Sequence, residues 1–114
     1  MIPRRGEVWL VNLDPTIGDE LRKTRPAVVT SRDALGVLAL RVIVPVTAWQ
    51  ERFADSDWLV RLEPTPESGL DKTSAADTFQ VRSISARRFV RRIGRLTDEE
   101  LGRVIEGLWS VFET

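Results

Sequence analysis

Val37-Leu38-Ala39-Leu40-Arg41-Val42-Ile43-Val44-Pro45-Val46 is the stretch on which the fold turns. It is almost entirely apolar and β-branched in its second half, and it is far too short to cross a bilayer. A run of this kind fits a strand buried on both faces rather than one that alternates between core and water. Pro45 has no amide hydrogen to give a ladder, so its place near the end predicts an edge, a bulge or the strand terminus.

Toward the N-terminus, a turn at residues 33–36 precedes a strand over residues 27–31. Before it lies a polar stretch, residues 16–25, which contains Gly18 and closes on Arg25-Pro26; this reads as an ordered loop, because a proline biases its predecessor toward extended backbone. A first strand, residues 7–13, is rich in Val, Trp and Leu and stops at the turn signal Asp14-Pro15. Toward the C-terminus, a charged loop at 50–57 leads to a short alternating strand at 58–63. Pro64, Pro66 and Gly69 then break the chain. Residues 76–83 alternate and read as one strand, followed by a helical turn at 85–88 and a last strand at 90–96. Thr97-Asp98-Glu99-Glu100 is a capping box, and Leu101, Val104, Ile105, Leu108 and Phe112 recur at helical spacing, which predicts a final helix with one face in the core. Five or six strands and one helix make a mainly β protein with helices (α+β): a small, strongly bent antiparallel sheet or barrel, in one domain over residues 1–114.

Composition narrows the chemistry. The 114 residues contain neither cysteine nor histidine, which removes thiolate nucleophiles, the commonest general base and the usual zinc ligands. Carboxylates, arginine, lysine and hydroxyls are left. No secretory signal opens the chain, so a cytoplasmic protein is expected, away from membranes. Net charge is zero, yet residues 82–97 hold six arginines and no acid. Such a band suits bidentate contact with phosphates, or else is a solvated strand surface.

Four separated pieces stand in a shared order: Arg5-Gly6-Glu7-Val8-Trp9 running into Leu13-Asp14-Pro15 with Gly18-Asp19-Glu20; Arg25-Pro26-Ala27-Val28-Val29; Val44-Pro45-Val46-Thr47; and Phe79-Gln80-Val81-Arg82-Ser83-Ile84. Together they resemble the MazF/PemK family of toxins over nearly the whole chain. The resemblance implies an SH3-like small barrel of the MazF/PemK/CcdB type with a C-terminal helix. It further implies a type II toxin–antitoxin endoribonuclease that cuts single-stranded RNA with no cofactor and no metal, leaving 2′,3′-cyclic phosphate and 5′-hydroxyl ends. Its partners would be a second copy in a homodimer and an acidic, MazE-like antitoxin.

Carried over residue by residue, the family's catalytic arginine falls on Arg25 and its catalytic threonine on Thr47. A guanidinium offers fixed donors to the charge that builds on phosphate oxygens, and a threonine hydroxyl can donate or orient the 2′-hydroxyl. Arginine stays protonated and threonine is a poor base, so another group is needed to accept the proton. Glu20 is the candidate, the other reading being an ion pair with a nearby arginine. Lys23, Lys72, Gln80 and Arg82 are candidates for phosphate or base contact, and Trp49, beside Phe53, for base stacking or core packing. Two other readings stay open: a CcdB-like gyrase-binding toxin, and a non-catalytic barrel that binds RNA or protein.

Overall fold

The computed structural model describes residues 2–35 and 38–113. Among the described residues, seven strands and one helix follow in the order β1 (Glu7–Asn12), β2 (Thr24–Val29), β3 (Leu40–Ala48), β4 (Leu59–Leu62), β5 (Ser74–Asp77), β6 (Arg82–Ser85), β7 (Phe89–Arg95) and α1 (Asp98–Phe112), with 3₁₀ turns between several of them. All pairings are antiparallel. The sheet runs β4-β5-β3-β2-β1-β7, and β6 also pairs with β3.

The central strands are buried on both sides, as the apolar run predicts. Val8, Val28 and Val44 lie opposite one another across β1, β2 and β3, and with Val46, Val60, Leu62 and Val104 they form one core layer beneath α1. The alternate residues Trp9, Val11, Ala27, Val29 and Ile43 form a second layer on the other face. Two cores explain why β1 alternates only loosely in sequence: both of its faces need apolar side chains.

The Arg-Gly-Glu-Val-Trp piece is a lock. Gly6 turns the chain at φ +88° and its amide donates to the Val29 carbonyl. The buried Glu7 carboxylate then accepts from the Arg4 amide at 2.8 Å and the Trp9 indole at 3.0 Å, and pairs with Arg92 of β7 at 3.0 Å. One acid thus ties the N-terminus, β1 and β7 together.

At five places the structure departs from the sequence expectations. β2 begins at Thr24 and runs through Pro26, so the end of the expected loop is already strand. β3 spans Leu40–Ala48, two residues past the expected end, while Val37 lies outside the described residues. The expected strand at 76–83 is two strands, divided by a 3₁₀ turn at Thr78–Gln80. β6 pairs with β3 as far as Ile43↔Arg82, and β5 takes over from Val46↔Ala76, so Pro45 lies inside β3 at the change of partner, where a missing amide breaks no continuous ladder. Finally, the helix carries its capping box and buries Val104, but Phe112 is 63% exposed and so stands outside the core, as does Trp109. Among the described residues no helix is long and apolar enough to cross a membrane.

The turn before Leu70 packs directly on the backbone of β7. Glu67 accepts from the Arg95 amide at 2.7 Å, and Gly69 and Gly94 meet with no room for a side chain: a Cβ on Gly94 would stand 2.2 Å from the Ser68 carbonyl oxygen. Gly94→Ala is therefore expected to destabilise the protein by about 1–3 kcal/mol. Gly102→Ala, on the exposed face of α1 with nothing within 4 Å, is expected to stabilise it by about 1 kcal/mol. Paired denaturant titrations would read both. Glu7→Ala, which strips the Arg4 amide, the Trp9 indole and the Arg92 guanidinium of their acceptor, is expected to cost about 2 kcal/mol in the same assay.

Candidate active site

Arg25 and Thr47 come together because of register. Arg25 pairs with Val11 across β1 and β2, Ala27 pairs with Pro45 across β2 and β3, and Thr47 pairs with Ala75 across β3 and β5. Continuing the β2–β3 pairing by two residues sets Arg25 opposite Thr47, where the sheet opens. Both line a cleft of about 610 Å³ whose floor is Leu10, Pro26 and Val46. Its remaining polar walls include Lys72 and Asp71, from the segment after Gly69, and Arg91 from β7.

The electrostatics of this cleft are lopsided. Three cations face one carboxylate, and burial pushes the Arg25 guanidinium below its ordinary pKa. Its Nε donates to the Arg22 carbonyl at 2.8 Å, which fixes the side chain, yet among the described residues it forms no ion pair. Arginine nonetheless keeps its proton. The result is a partly desolvated, unpaired cation in a concave site, a standing preference for an anion. The Thr47 hydroxyl makes no side-chain hydrogen bond among the described residues, so it remains available to a ligand. Asp71 and Lys72 are held from both sides, by buried Leu70 and by the Ser74 hydroxyl, which donates to the Lys72 carbonyl at 2.8 Å.

Glu20 does not line this cleft. It stands on a neighbouring one of about 370 Å³, with Asp19, Leu21, Pro45, Phe79, Gln80 and Arg82. Gln80 and Arg82 are there too, but their side chains hold the β1–β2 loop: Gln80 bonds the Leu21 amide and the Asp19 carbonyl, and Arg82 donates to the Leu13 carbonyl at 3.4 Å. Asp77 steadies Gln80 by accepting from its Nε2 at 3.2 Å; burial pushes that carboxyl above its ordinary pKa, and the nearby amide of Phe79 and the side chain and amide of Gln80 oppose the shift. Lys23 is exposed on the loop at φ +69° and lines neither cleft. Trp49 is half-buried, edge-on to Phe53 at 5.8 Å and under the Arg61 guanidinium at 5.3 Å, away from both clefts.

The arginine band therefore divides by task. Arg82, Arg88 and Arg92 hold loop carbonyls or Glu7, and Arg91 reaches the cleft. Asp71 was not legible in sequence, because it follows an irregular Pro- and Gly-rich break that carries no periodicity. Phe79 belongs to a quoted motif, but its 68% exposure depends on the turn that the alternating pattern conceals.

Known proteins resemble this chain throughout. Residues 4–112 match the model for the PemK-like, MazF-like toxin of type II toxin-antitoxin system. Endoribonuclease MazF9 of Mycobacterium tuberculosis is 38% identical over 111 residues, covering 92% of each chain. The crystal structure of MazF from Deinococcus radiodurans superposes with a TM-score of 0.83 at 26% identity, covering 100% of this chain and 99% of its own. A MazE–MazF structure from the same organism gives 0.69 at 25% identity, covering 98% of this chain and 97% of that one. A match over nearly the whole length, in sequence and in fold, means that the chain belongs to the family of PemK-like, MazF-like toxins of type II toxin–antitoxin systems.

Proposed function

We propose that this toxin is an endoribonuclease that cuts single-stranded RNA at the cleft of Arg25 and Thr47, by attack of a ribose 2′-hydroxyl on the adjacent phosphorus and without a metal. The observation that carries the reading is the unpaired, partly desolvated Arg25 beside a free threonine hydroxyl in a cleft bordered by two further cations. The naming of the 38% identical relative as an endoribonuclease supports it.

In this mechanism the 2′-oxygen bonds to phosphorus and the bond to the 5′-oxygen breaks, giving a 2′,3′-cyclic phosphate and a 5′-hydroxyl. Arg25 and Thr47 donate to the phosphate oxygens as charge gathers on them, and one such preorganised donor contributes about 3 kcal/mol. Lys72 and Arg91 hold flanking phosphates. Asp71, the carboxylate of this cleft, takes the 2′-proton, and the leaving 5′-oxygen receives a proton from water. Single-stranded RNA suits the site because an unpaired backbone can reach in-line geometry.

The same positive cleft suits a partner that imitates RNA with carboxylates, so an acidic antitoxin of the MazE kind is the proposed inhibitor, consistent with the related MazE–MazF assembly. A homodimer in the cytoplasm completes the proposal.

Incubated with a long single-stranded RNA in excess EDTA, the protein is expected to give discrete cuts with 5′-hydroxyl ends. Arg25→Ala is expected to lower kcat by roughly 100- to 1,000-fold. Intact RNA with folded wild-type protein would overturn the proposal. Asp71→Asn is expected to lower the rate by roughly 100-fold, and Asp71→Glu should restore part of it. Single-turnover cleavage rates of the three proteins check this.

A further inference from the structure

The two neighbouring clefts differ in charge. The catalytic cleft has three cations and one acid among its walls; the second has two acids, Asp19 and Glu20, and one arginine, Arg82, which already donates to the Leu13 carbonyl. A site of the second kind repels phosphate. Apart from Gln80, whose side chain holds the loop, its other walls, Leu21, Pro45, Phe79 and Val81, are apolar. Pro45 and Thr47 are two residues apart on β3, about 7 Å along an extended strand, so whatever occupies the second cleft lies next to the reacting group.

We propose that this second cleft is a nucleobase subsite, in which Phe79 stacks on the base of a nucleotide beside the cut and Glu20 selects a base bearing an exocyclic amino group over uracil. The inference rests on the proposed RNA substrate and adds the basis of its selectivity.

Three features support it. First, Phe79 is 68% exposed, yet the turn that bears it is rigid: the amide and the hydroxyl of buried Thr78 both donate to the Trp58 carbonyl, at 3.0 and 2.7 Å, and the Trp58 ring backs Phe79 at 6.5 Å. An aromatic face presented to solvent on a fixed turn is a stacking platform whose ordering cost is already met. Second, Glu20 is clamped. Gln80 bonds the residues on both sides of it, Asp19 and Leu21, and one Glu20 oxygen accepts from the Ile17 amide, while the other makes no hydrogen bond among the described residues. Third, a carboxylate only accepts hydrogen bonds. Guanine, adenine and cytosine each bring an amino group to it. Uracil brings one N–H between two carbonyl oxygens, which face the carboxylate unfavourably.

The test maps cut sites on a long RNA of mixed sequence for the wild type, Glu20→Gln and Phe79→Ala. At one position beside the cut, wild-type protein is expected to favour amino-bearing bases over uracil. Glu20→Gln, which supplies a donor as well as an acceptor, should reduce that ratio roughly ten-fold or more. Phe79→Ala should raise KM roughly ten-fold. An unchanged base preference in both variants would overturn the proposal, as would a Glu20→Gln variant that slows every site by one common factor, since that marks a role in the chemistry instead. A second readout does not depend on cutting: RNA containing 2-aminopurine, bound to Arg25→Ala protein, should be quenched by stacking, and the quench should vanish when Phe79→Ala is added. Equal quenching in both would reject the platform even if no RNA is cut.

Discussion

Strand β3 bonds to β2 on one side and to β6 and then β5 on the other, and this change of partner constrains everything around it. Three residues more are needed on the β5–β6 side than β3 can pair with, and they leave the sheet as the 3₁₀ turn Thr78–Gln80. The excursion places Phe79 in solvent and lets Gln80 reach the loop after β1. On β3 itself, the residues just past the change are Val46 and Thr47, which line the cleft that holds Arg25. One irregularity in a ladder thus sets both clefts and the distance between them. Pro45 suits the place because it has no amide to leave unpaired.

The molecule treats its charges in two ways. Glu7 is buried with every neighbour chosen to satisfy it, and a fully bonded buried carboxylate rigidifies what it joins. Arg25 is the reverse, a cation partly withdrawn from water that forms no ion pair among the described residues. Under the proposed reaction, that desolvation is offset when a phosphate enters, and a protein that solvated or paired Arg25 would lose part of its differential affinity for the charge growing there.

Much of this was legible in the chain, for reasons that differ by element. Capping at Thr97 and the stripe through Leu101 and Val104 are local, so the last helix could be read almost to the residue. The two-sided burial of β3 followed from its composition. Arg25 and Thr47 were named by motif, and register explains why motifs 22 positions apart converge. What stayed hidden depends on three-dimensional pairing. Residues 76–83 alternate perfectly well as one strand, and only β3 reveals that they are two. Glu20 looked adjacent to Arg25 along the loop, but the loop is drawn toward Gln80 and carries it to the other cleft. Phe112 and Trp109 repeat at helical spacing with the core residues, and spacing alone does not say where the covering sheet ends.

Strand β7 ends the sheet, and an end strand is ordinarily an invitation for another molecule to add itself. Here the turn carrying Glu67 and Gly69 occupies part of that edge by bonding the Arg95 amide, and exposed Arg91 adds its charge beside it. Two copies approaching edge to edge would meet a wall of backbone and a mutual repulsion. The tight glycine contact therefore has a colloidal consequence as well as a structural one: it guards a small, strand-rich protein against growing into open-ended sheets when it accumulates.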